Sequence, residues 1–342
     1  MSTNLAVERE ISPVETMLKM MSGFWVSRGI YVAAKLGIAD HLKAGGKTAK
    51  ELAELTETHA DSLYRVLRML AMVGIFRQDG KEFSLTPVSE TLLSDAPGSL
   101  RFAAMAEMGE VHYDAWGNIM HSVKTGGIAF DDHFGMDVWE YFEKDREKAN
   151  NFNKYMSNNA VQLNDAVSKG YDFSGARKLV DVAGGIGGMI SAILVENPQL
   201  EGVLFDAPSV IEGAKEYLAE KGLSERCETI GGDFFESIPT GGDVYTMRWI
   251  IHDWDDEKSL KILNNIRKVI PENGKLLLVE SVIPGENEPH FGKFLDLIML
   301  TMTGGRERTE EEYKSLLESA GFRLNRVFPT ESFISIIEAI PV

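Results

Sequence analysis

The sequence predicts an α/β protein in which a mostly parallel β-sheet follows a mainly helical N-terminal region. From residue 179 onward, short apolar segments rich in β-branched residues alternate with helical patterns, which is typical of a parallel sheet. The first of these segments, 179–182, leads into a glycine-rich turn that ends at residue 188. A chain of 342 residues is also long enough for two domains.

The N-terminal region has a winged-helix pattern. Apolar residues at helical spacing predict two helices within 11–42, separated near Gly29. Helices over 48–55 and 61–72 follow, and then a hairpin over 75–85 that turns at Asp79 and Gly80. Residues 98–167 are predicted to be mostly helical, with a loop at 130–135.

The first predicted helices carry more large apolar side chains than one face can bury in a small domain. They are Met17, Met20, Met21, Phe24 and Trp25. This excess favours packing against a second subunit, and the alternative is docking elsewhere on the same chain.

Charge and cysteine content narrow the classes of partner. The formal net charge is −17, and residues 39–93 carry no net excess of Lys and Arg, so a winged-helix regulator that binds DNA is disfavoured. No segment has the pattern of a secretory signal or a membrane span. The single cysteine, Cys227, fits a reducing compartment, and we expect a cytoplasmic protein.

Seven strands are expected in the C-terminal region. They cover 179–182, 203–205, 228–230, 244–247, 275–279, 323–327 and 333–340. A short turn containing Pro329 joins the last two, so these strands should pair as an antiparallel edge.

Carboxylates follow three of these strands, where ligands of open α/β sheets bind. Asp206 ends the second strand, the position at which such a site places the carboxylate that takes the ribose hydroxyls. Gly185 and Gly187 form a Gly-x-Gly turn, but position 190 is Ile, which disfavours a pyrophosphate cradle. Asp233 is followed by an aromatic residue, a pair suited to an adenine. A cofactor that contains a nucleoside is therefore predicted.

The fourth strand leads into a segment that contains His252. Imidazole suits proton transfer near neutral pH because its ordinary pKa lies there. Glu280, at the end of the fifth strand, and Glu307 could orient that imidazole and stabilise its charged form. Asp255 and Asp256 are interpreted as N-terminal caps and dipole partners of the helix that runs through Val269. Cysteine and histidine show no metal-ligand spacing, so no metal is expected.

In combination, five motifs carry a family resemblance. They are the glycine turn at 181–187, FDAP at 205–208, GDFF at 232–235, RWIIHDW at 248–254 and GGRERT at 304–309. With Glu280, they resemble class I S-adenosylmethionine-dependent O-methyltransferases of the plant caffeate/flavonoid type and their bacterial relatives, including acetylserotonin and hydroxyneurosporene methyltransferases. The resemblance spans nearly the whole chain. It implies a Rossmann-like, seven-stranded methyltransferase sheet behind a winged-helix-like dimerisation domain.

The resemblance also implies roles for individual residues. S-adenosylmethionine, which becomes S-adenosylhomocysteine, would be bound by Asp181, Gly184, Gly185, Gly187, Asp206, Asp233, Phe234 and Arg248. His252 would be the general base, assisted by Glu280 and Glu307. A small-molecule acceptor would contact Trp116, Phe152, Met156, Trp249, Asp253 and Met299.

These inferences predict three parts: a dimerisation domain (1–100), a helical linker beside the substrate (101–167) and a cofactor-binding domain (168–342). The expected protein is a homodimer that methylates a phenolic or enolic hydroxyl. Carbon methylation of an enolisable acceptor and a non-catalytic cofactor-binding protein remain as alternatives. Two positions depart from the family pattern. Ala183 replaces a usual glycine, which is tolerable if its φ is negative, and Arg248 stands where lysine is common.

Overall fold

The structure is a computed structural model that describes the backbone of residues 12–342 and their side chains, except those of residue 153 and residues 157–162. The start of the first predicted domain, residues 1–11, lies outside the described residues. The chain forms two compact units. One contains the N-terminal residues through Tyr113 together with Asn150–Asn158, and the other contains Asp114–Ala149 and Asn159–Val342. The predicted three-part division remains a prediction.

The first unit packs short helices against a small antiparallel sheet. Its helices are α1 (Pro13–Lys35), α2 (Ile38–Leu42), α3 (Ala49–Leu55), α4 (Ala60–Met72), α5 (Pro87–Glu90) and α6 (Arg101–Glu107), and its strands are β1 (Lys47–Thr48), β2 (Phe76–Asp79) and β3 (Glu82–Leu85). The strand order is β1-β3-β2. Helices α3 and α4 with this sheet match the predicted winged-helix pattern, and β1 adds a third strand to the hairpin.

The predicted helix break at Gly29 is wrong. Helix α1 runs through Gly29, which is buried, and a Cβ atom there would lie 2.5 Å from Cε of Met69. The glycine therefore allows close packing between helices and does not end one. The break comes at Gly37, whose φ of +63° suits a residue without a side chain. The hairpin also turns one residue later than predicted, because Asp79 pairs with Glu82.

One face of α1 is apolar and exposed. Met20, Met21 and Trp25 are 71%, 64% and 66% exposed, and Met17 and Phe24 are also more than half exposed. The other face contributes Tyr31, Ala33 and Ala34 to the interior. The predicted excess of apolar side chains is therefore present on the surface of this chain.

The second unit is a helix-covered sheet. Helix α7 (Glu110–Gly117) passes from the first unit into it, and the following helices are α8 (Ile119–Thr125), α9 (Ala129–Phe134), α10 (Val138–Lys144), α11 (Arg146–Gly170), α12 (Gly188–Glu196), α13 (Pro208–Glu220), α14 (Asp256–Val269), α15 (Gly292–Met302) and α16 (Glu310–Ser319). Its strands are β4 (Lys178–Val182), β5 (Glu201–Asp206), β6 (Cys227–Gly231), β7 (Val244–Arg248), β8 (Lys275–Glu280), β9 (Phe322–Pro329) and β10 (Ser335–Pro341).

The sheet has the order β6-β5-β4-β7-β8-β10-β9. Strands β4 to β8 pair in parallel, whereas β10 pairs antiparallel with both β8 and β9. All seven predicted strands are present, and the predicted α/β fold class is confirmed. The chain runs from β4 to β5 and β6 on one side of β4 and then crosses to β7 on its other side, and this reversal of strand order creates the crevice at which open α/β sheets bind ligands.

The predicted loop at 130–135 is wrong, because these residues form most of α9. Phe130 is fully buried and packs against the rings of Phe134 and Tyr141 at centroid distances of 4.5 and 5.6 Å. This aromatic contact favours a helix that the short polar segment does not reveal by periodicity. Gly135, with a φ of +71°, ends it. None of the helices within residues 12–342 is long and apolar enough to cross a membrane.

Candidate active site

Asp206 is tied to the glycine turn at the carboxyl ends of β4 and β5. Its Oδ2 accepts the backbone N–H of Gly185 at 2.7 Å, and its Oδ1 accepts that of Ala207 at 2.7 Å. Burial raises the pKa of Asp206 above its ordinary value. A Cβ atom on Gly185 would meet no atom within 4 Å, so the turn borders open space beside this carboxylate.

Asp181 lies under the same turn and is completely buried. Its Oδ1 accepts the hydroxyl of Thr246 at 2.8 Å, and burial raises its pKa to about 7. A Cβ atom on Gly184 would lie 2.4 Å from both Asp181 Oδ2 and Leu204 Cδ1. Gly184 is therefore required by the close approach of the turn to β4 and β5.

The condition set for Ala183 is not met, because its φ is +57° and not negative. Its N–H donates to the carbonyl of Phe205 at 2.7 Å, which holds the residue in this conformation. An L-residue in the left-handed region costs about 1–2 kcal/mol. The turn therefore retains the backbone shape of a glycine at this position and stores strain there.

Asp233 and Phe234 follow β6, next in the sheet. Asp233 is exposed, and its Oδ1 accepts the N–H of Phe235 at 2.7 Å, which fixes the turn. Phe234 is half-buried, with its ring 4.8 Å from that of Phe235 and 6.3 Å from that of Trp254. The three carboxylates predicted at this edge therefore occupy the ends of neighbouring strands β4, β5 and β6.

Arg248 ends β7 next to this group. Its guanidinium donates to Oδ1 of Asn164, a buried residue of α11. Burial lowers the pKa of Arg248, and the negative charge of Asp181 opposes that effect. Asn164 was not predicted as a site residue, and no sequence signal singles it out among the polar residues of that helix.

Trp249 follows with a φ of +54°, and its N–H donates to Val279 O at 3.2 Å. Its ring is nearly parallel to those of His252 and Phe333, with interplanar angles of 15° and 16° and centroid distances of 6.3 and 6.1 Å. The indole of Trp249 is therefore nearly parallel to the imidazole of His252 and to the ring of Phe333.

His252 lies in a short 3₁₀ turn, Ile251–Asp253, and is 7% exposed. Its Nδ1 is 2.7 Å from Oε1 of Glu307, and its Nε2 is 3.7 Å from Oδ1 of Asp253. The fold thus brings together two residues that are 55 positions apart in the sequence. This is the arrangement of an imidazole oriented by a carboxylate.

Glu280 contacts the backbone that leads to this turn. Its Oε1 accepts the N–H groups of Ile250 and Ile251 at 3.1 and 3.0 Å. Glu307 in turn is held through its own N–H, which donates to Oδ1 of Asp296 at 2.9 Å. Glu307 therefore contacts the imidazole directly, whereas Glu280 holds the segment that carries it.

The electrostatics of this cluster favour a protonated imidazole. Burial alone would lower the pKa of His252, but the carboxylates of Asp253, Glu280 and Glu307 raise it to about 10. Burial raises the pKa of Asp253 to about 6 and that of Glu280 to about 7. Groups this close titrate as a unit, so the cluster can take up and release protons across the neutral range.

Donor atoms of His252, Glu280 and Glu307 lie within 4.8 Å of one another, a distance that would also allow a metal ion. The sequence did not reveal this, because the three residues lie far apart in the chain. Oε1 of Glu280 already accepts two backbone N–H groups, and Oε1 of Glu307 is already hydrogen-bonded to the imidazole of His252. The absence of a metal remains a prediction.

The other predicted acceptor contacts are distributed over both units. Trp116, on α7, and Met299, on α15, belong to the second unit, and Met299 is buried with its sulfur 3.6 Å from the hydroxyl of Thr303. Phe152 and Met156 lie on the part of α11 that belongs to the first unit. Their substrate roles remain predictions.

The role of Asp255 as a helix cap agrees with the structure, because its Oδ1 accepts the N–H of Lys258 at 2.8 Å. Asp256 lies in the first turn of α14, where a dipole partner is expected, and its Oδ1 is 2.7 Å from Nη2 of Arg308. Arg308 is only 1% exposed and was not predicted as a site residue. Nothing in the GGRERT segment indicates which of its two arginines is buried.

Comparison with known proteins agrees with this architecture. The family model of O-methyltransferase domains matches residues 116–323, and that of O-methyltransferase dimerisation domains matches residues 18–95. The phenazine O-methyltransferase PhzM of Lysobacter antibioticus is 44% identical over 327 residues, which cover 95% of this chain and 96% of that protein.

Solved structures agree as well. The crystal structure of LaPhzM has a TM-score of 0.92 and 44% identity, and the match covers 97% of this chain and 100% of that one. The O-methyltransferase NcsB1 from neocarzinostatin biosynthesis, in complex with S-adenosylmethionine and 2-hydroxy-5-methyl naphthoic acid, has a TM-score of 0.83 and 32% identity over 92% of this chain and 96% of that one. The chain therefore belongs to the family of S-adenosylmethionine-dependent O-methyltransferases.

Proposed function

We propose that this enzyme methylates a phenolic or enolic hydroxyl of a flat, aromatic small molecule, with His252 as the general base. The proposal is supported above all by the contact between His252 Nδ1 and Glu307, which leaves Nε2 as the nitrogen that accepts a proton when the imidazole is neutral. The ring of Trp249, which lies nearly parallel to the imidazole and to the ring of Phe333, favours a planar acceptor. Relatives named for phenazine and naphthoic acid chemistry agree with such an acceptor.

The residues at the ends of β4, β5 and β6 fit S-adenosylmethionine. Gly185 borders open space next to Asp206, whose carboxylate would accept the ribose hydroxyls. Asp233 and Phe234 would contact the adenine, and Asp181, Gly184, Gly187 and Arg248 would complete the binding site. When bound, S-adenosylmethionine supplies an activated methyl group and becomes S-adenosylhomocysteine.

His252 would accept the proton of the acceptor hydroxyl at Nε2, so that the acceptor oxygen could take the methyl group that bound S-adenosylmethionine would release from its sulfur. Glu307 keeps the other proton on Nδ1 and stabilises the imidazolium that results. Glu280 holds the turn through the N–H groups of Ile250 and Ile251. Trp249 orients the acceptor ring, so that the hydroxyl is aligned for transfer. General-base catalysis of this kind contributes about 10²–10⁴-fold.

The test is turnover by His252→Ala with a hydroxylated phenazine or naphthoate as acceptor. We expect kcat to fall by about 10²–10⁴-fold, with the affinity for S-adenosylhomocysteine in calorimetry unchanged. His121→Ala is the matched control, because His121 lies on α8 away from the carboxylate cluster and pairs with Asp132. Full turnover by His252→Ala would rule out the assigned base.

NMR of product made with an isotopically labelled methyl group distinguishes oxygen from carbon methylation. A label bonded to carbon would exclude the proposed reaction and favour the carbon-methylation alternative. No change in activity is expected after dialysis against EDTA, since we propose a mechanism without a metal. Loss of activity that a divalent metal restores would contradict this.

We further propose that the enzyme is a homodimer and that residues 1–100 form most of its interface. The exposed apolar face of α1 and the match to a dimerisation domain support this. Residues 101–167 would then contribute Trp116, Phe152 and Met156 to the acceptor site, and residues 168–342 the cofactor site. A cytoplasmic location also remains a prediction.

A further inference from the structure

Arg308 follows Glu307 directly and carries a buried positive charge. Its side chain is 1% exposed, whereas Arg306, two residues earlier, is exposed. Burial of a charged group is costly unless hydrogen bonds and an opposite charge compensate it. The partners of Arg308 therefore indicate what this burial achieves.

The guanidinium of Arg308 binds both ends of the turn that carries His252. Nη1 donates to the carbonyl of Ile251 at 3.1 Å, and Nη2 donates to that of Trp254 at 3.1 Å. These residues are the first of the 3₁₀ turn and the one that ends it. The planar fork of arginine can hold two acceptors in fixed directions, which the single ammonium of lysine cannot do.

Asp256 neutralises this guanidinium from the first turn of α14. Its Oδ1 accepts from Nη2 at 2.7 Å and from Nε at 3.2 Å. The hydrogen bond from Arg308 lowers the pKa of Asp256, so the carboxylate is charged at neutral pH. Asp256 itself is 57% exposed, and a change there leaves the interior intact.

Backbone hydrogen bonds on either side of Arg308 also connect its segment to the His252 turn and to the segment after Glu280. The N–H of Arg306 donates to the carbonyl of His252 at 2.8 Å, and the carbonyl of Arg308 accepts from Ile283 at 3.1 Å, just beyond Glu280. Arg308 thus lies where the segments that carry His252, Glu280 and Glu307 meet. A shift of its side chain would move His252 relative to Glu307.

We propose that Arg308 is a positioning residue, which fixes the His252 turn against Glu307 through its bonds to Ile251, Trp254 and Asp256. This role rests on the proposed function of His252 as the base. It requires no contact between Arg308 and the acceptor or the cofactor. Its loss should therefore lower kcat and leave substrate binding unchanged.

Arg308→Lys keeps the charge and removes the fork. We expect kcat to fall by about 10–100-fold, because a displacement of about 1 Å at a reacting group has an effect of that size. KM for the acceptor and the affinity for S-adenosylhomocysteine should change less than about 3-fold. Arg226→Lys is the matched control, since Arg226 binds four carbonyl groups, including those of Leu194 and Leu200, at the opposite end of the sheet. It should retain kcat.

Asp256→Asn is a second variant that does not disturb the interior. It should also lower kcat but by a smaller factor, because Arg308 keeps its hydrogen bonds to the carbonyl groups of Ile251 and Trp254. Glu257→Gln removes the same charge from the same exposed helical turn and should leave kcat unchanged. Equal kcat for Asp256→Asn and Glu257→Gln, together with wild-type kcat for Arg308→Lys, would overturn the inference.

A double-mutant cycle distinguishes positioning from general stability. If Arg308 acts through His252, then Arg308→Lys should have no further effect on kcat in the His252→Ala background. An equal fall in both backgrounds would assign Arg308 a structural role only and reject the inference. Wild-type turnover by His252→Ala alone would reject the proposed base, and with it this role of Arg308. Loss of turnover by His252→Ala with no effect of Arg308→Lys would reject the role of Arg308 alone.

Discussion

The pH dependence of kcat/KM in the variant Glu307→Gln measures how far Glu307 raises the pKa of His252. The side-chain amide of glutamine can present its oxygen to Nδ1 where Glu307 Oε1 now lies, 2.7 Å away. The variant therefore removes the negative charge and keeps the hydrogen bond. Three carboxylates face the imidazole, those of Asp253, Glu280 and Glu307, and together they raise its pKa to about 10.

The expected direction follows from which form of the base reacts. Only neutral His252 accepts a proton, so kcat/KM should rise with pH through the pKa of the free enzyme and then level off. Asp253, Glu280 and Glu307 together favour the charged form of His252 and place this rise at alkaline pH. A hydrogen bond contributes about 0.5–1.5 kcal/mol between neutral groups and about 1.5–3 kcal/mol when one group is charged, and 1.36 kcal/mol corresponds to one pKa unit. Because Glu307→Gln keeps the hydrogen bond and loses the charge, it should move the rise down by about 1 pH unit.

The assay is kcat/KM for methyl transfer between pH 6 and 10.5, together with NMR titration of labelled histidine. The His252→Ala spectrum assigns the resonance of His252 among the seven histidines. Glu310→Gln is the control, because Glu310 is exposed in the first turn of α16 and carries the same charge. An inflection that stays in place or moves up in Glu307→Gln would refute the electrostatic reasoning.

Three further perturbations test other parts of the structure. Ala183→Gly relieves the strain at a φ of +57° and should raise the melting temperature by about 1–4 °C, and a lower value would contradict the strain. Gly305→Ala would place a Cβ atom 1.9 Å from the carbonyl oxygen of His252, so activity should be lost. In the control Gly285→Ala, the new Cβ atom meets no atom within 4 Å, and activity and melting temperature should match the wild type. Trp25→Glu adds a charge to the exposed face of α1 and should yield monomers in light scattering, and an unchanged dimer would exclude that face as the interface.

Local patterns predicted most of the sheet, because a buried strand such as β8 contains a continuous apolar run, 276–279, which follows recognisable turn residues at 272–274. They failed where tertiary contacts decide. Gly29 suggests a helix break by propensity, but in the structure it accommodates Met69. Phe130 belongs to a helix that its aromatic partners stabilise.

The candidate site shows the same limit. His252, Glu280 and Glu307 could be selected because each follows a strand end or belongs to a motif of the family. The contacts among these three residues could not be predicted, since Glu280 accepts backbone N–H groups and only Glu307 contacts the imidazole of His252. Burial of Arg308 depends on three segments meeting, and no single stretch of sequence carries that information.

The strand order places the proposed cofactor-binding residues and the proposed base at the ends of different strands. Except for Arg248, the proposed cofactor residues follow β4, β5 and β6, whereas His252 and Glu280 follow β7 and β8 on the other side of the crevice. A library of substitutions in the segments after β7 and β8 that keeps His252 and Glu280 should therefore alter acceptor choice without altering the nucleoside-binding half. Directed evolution of this enzyme towards new acceptors can accordingly proceed one half at a time.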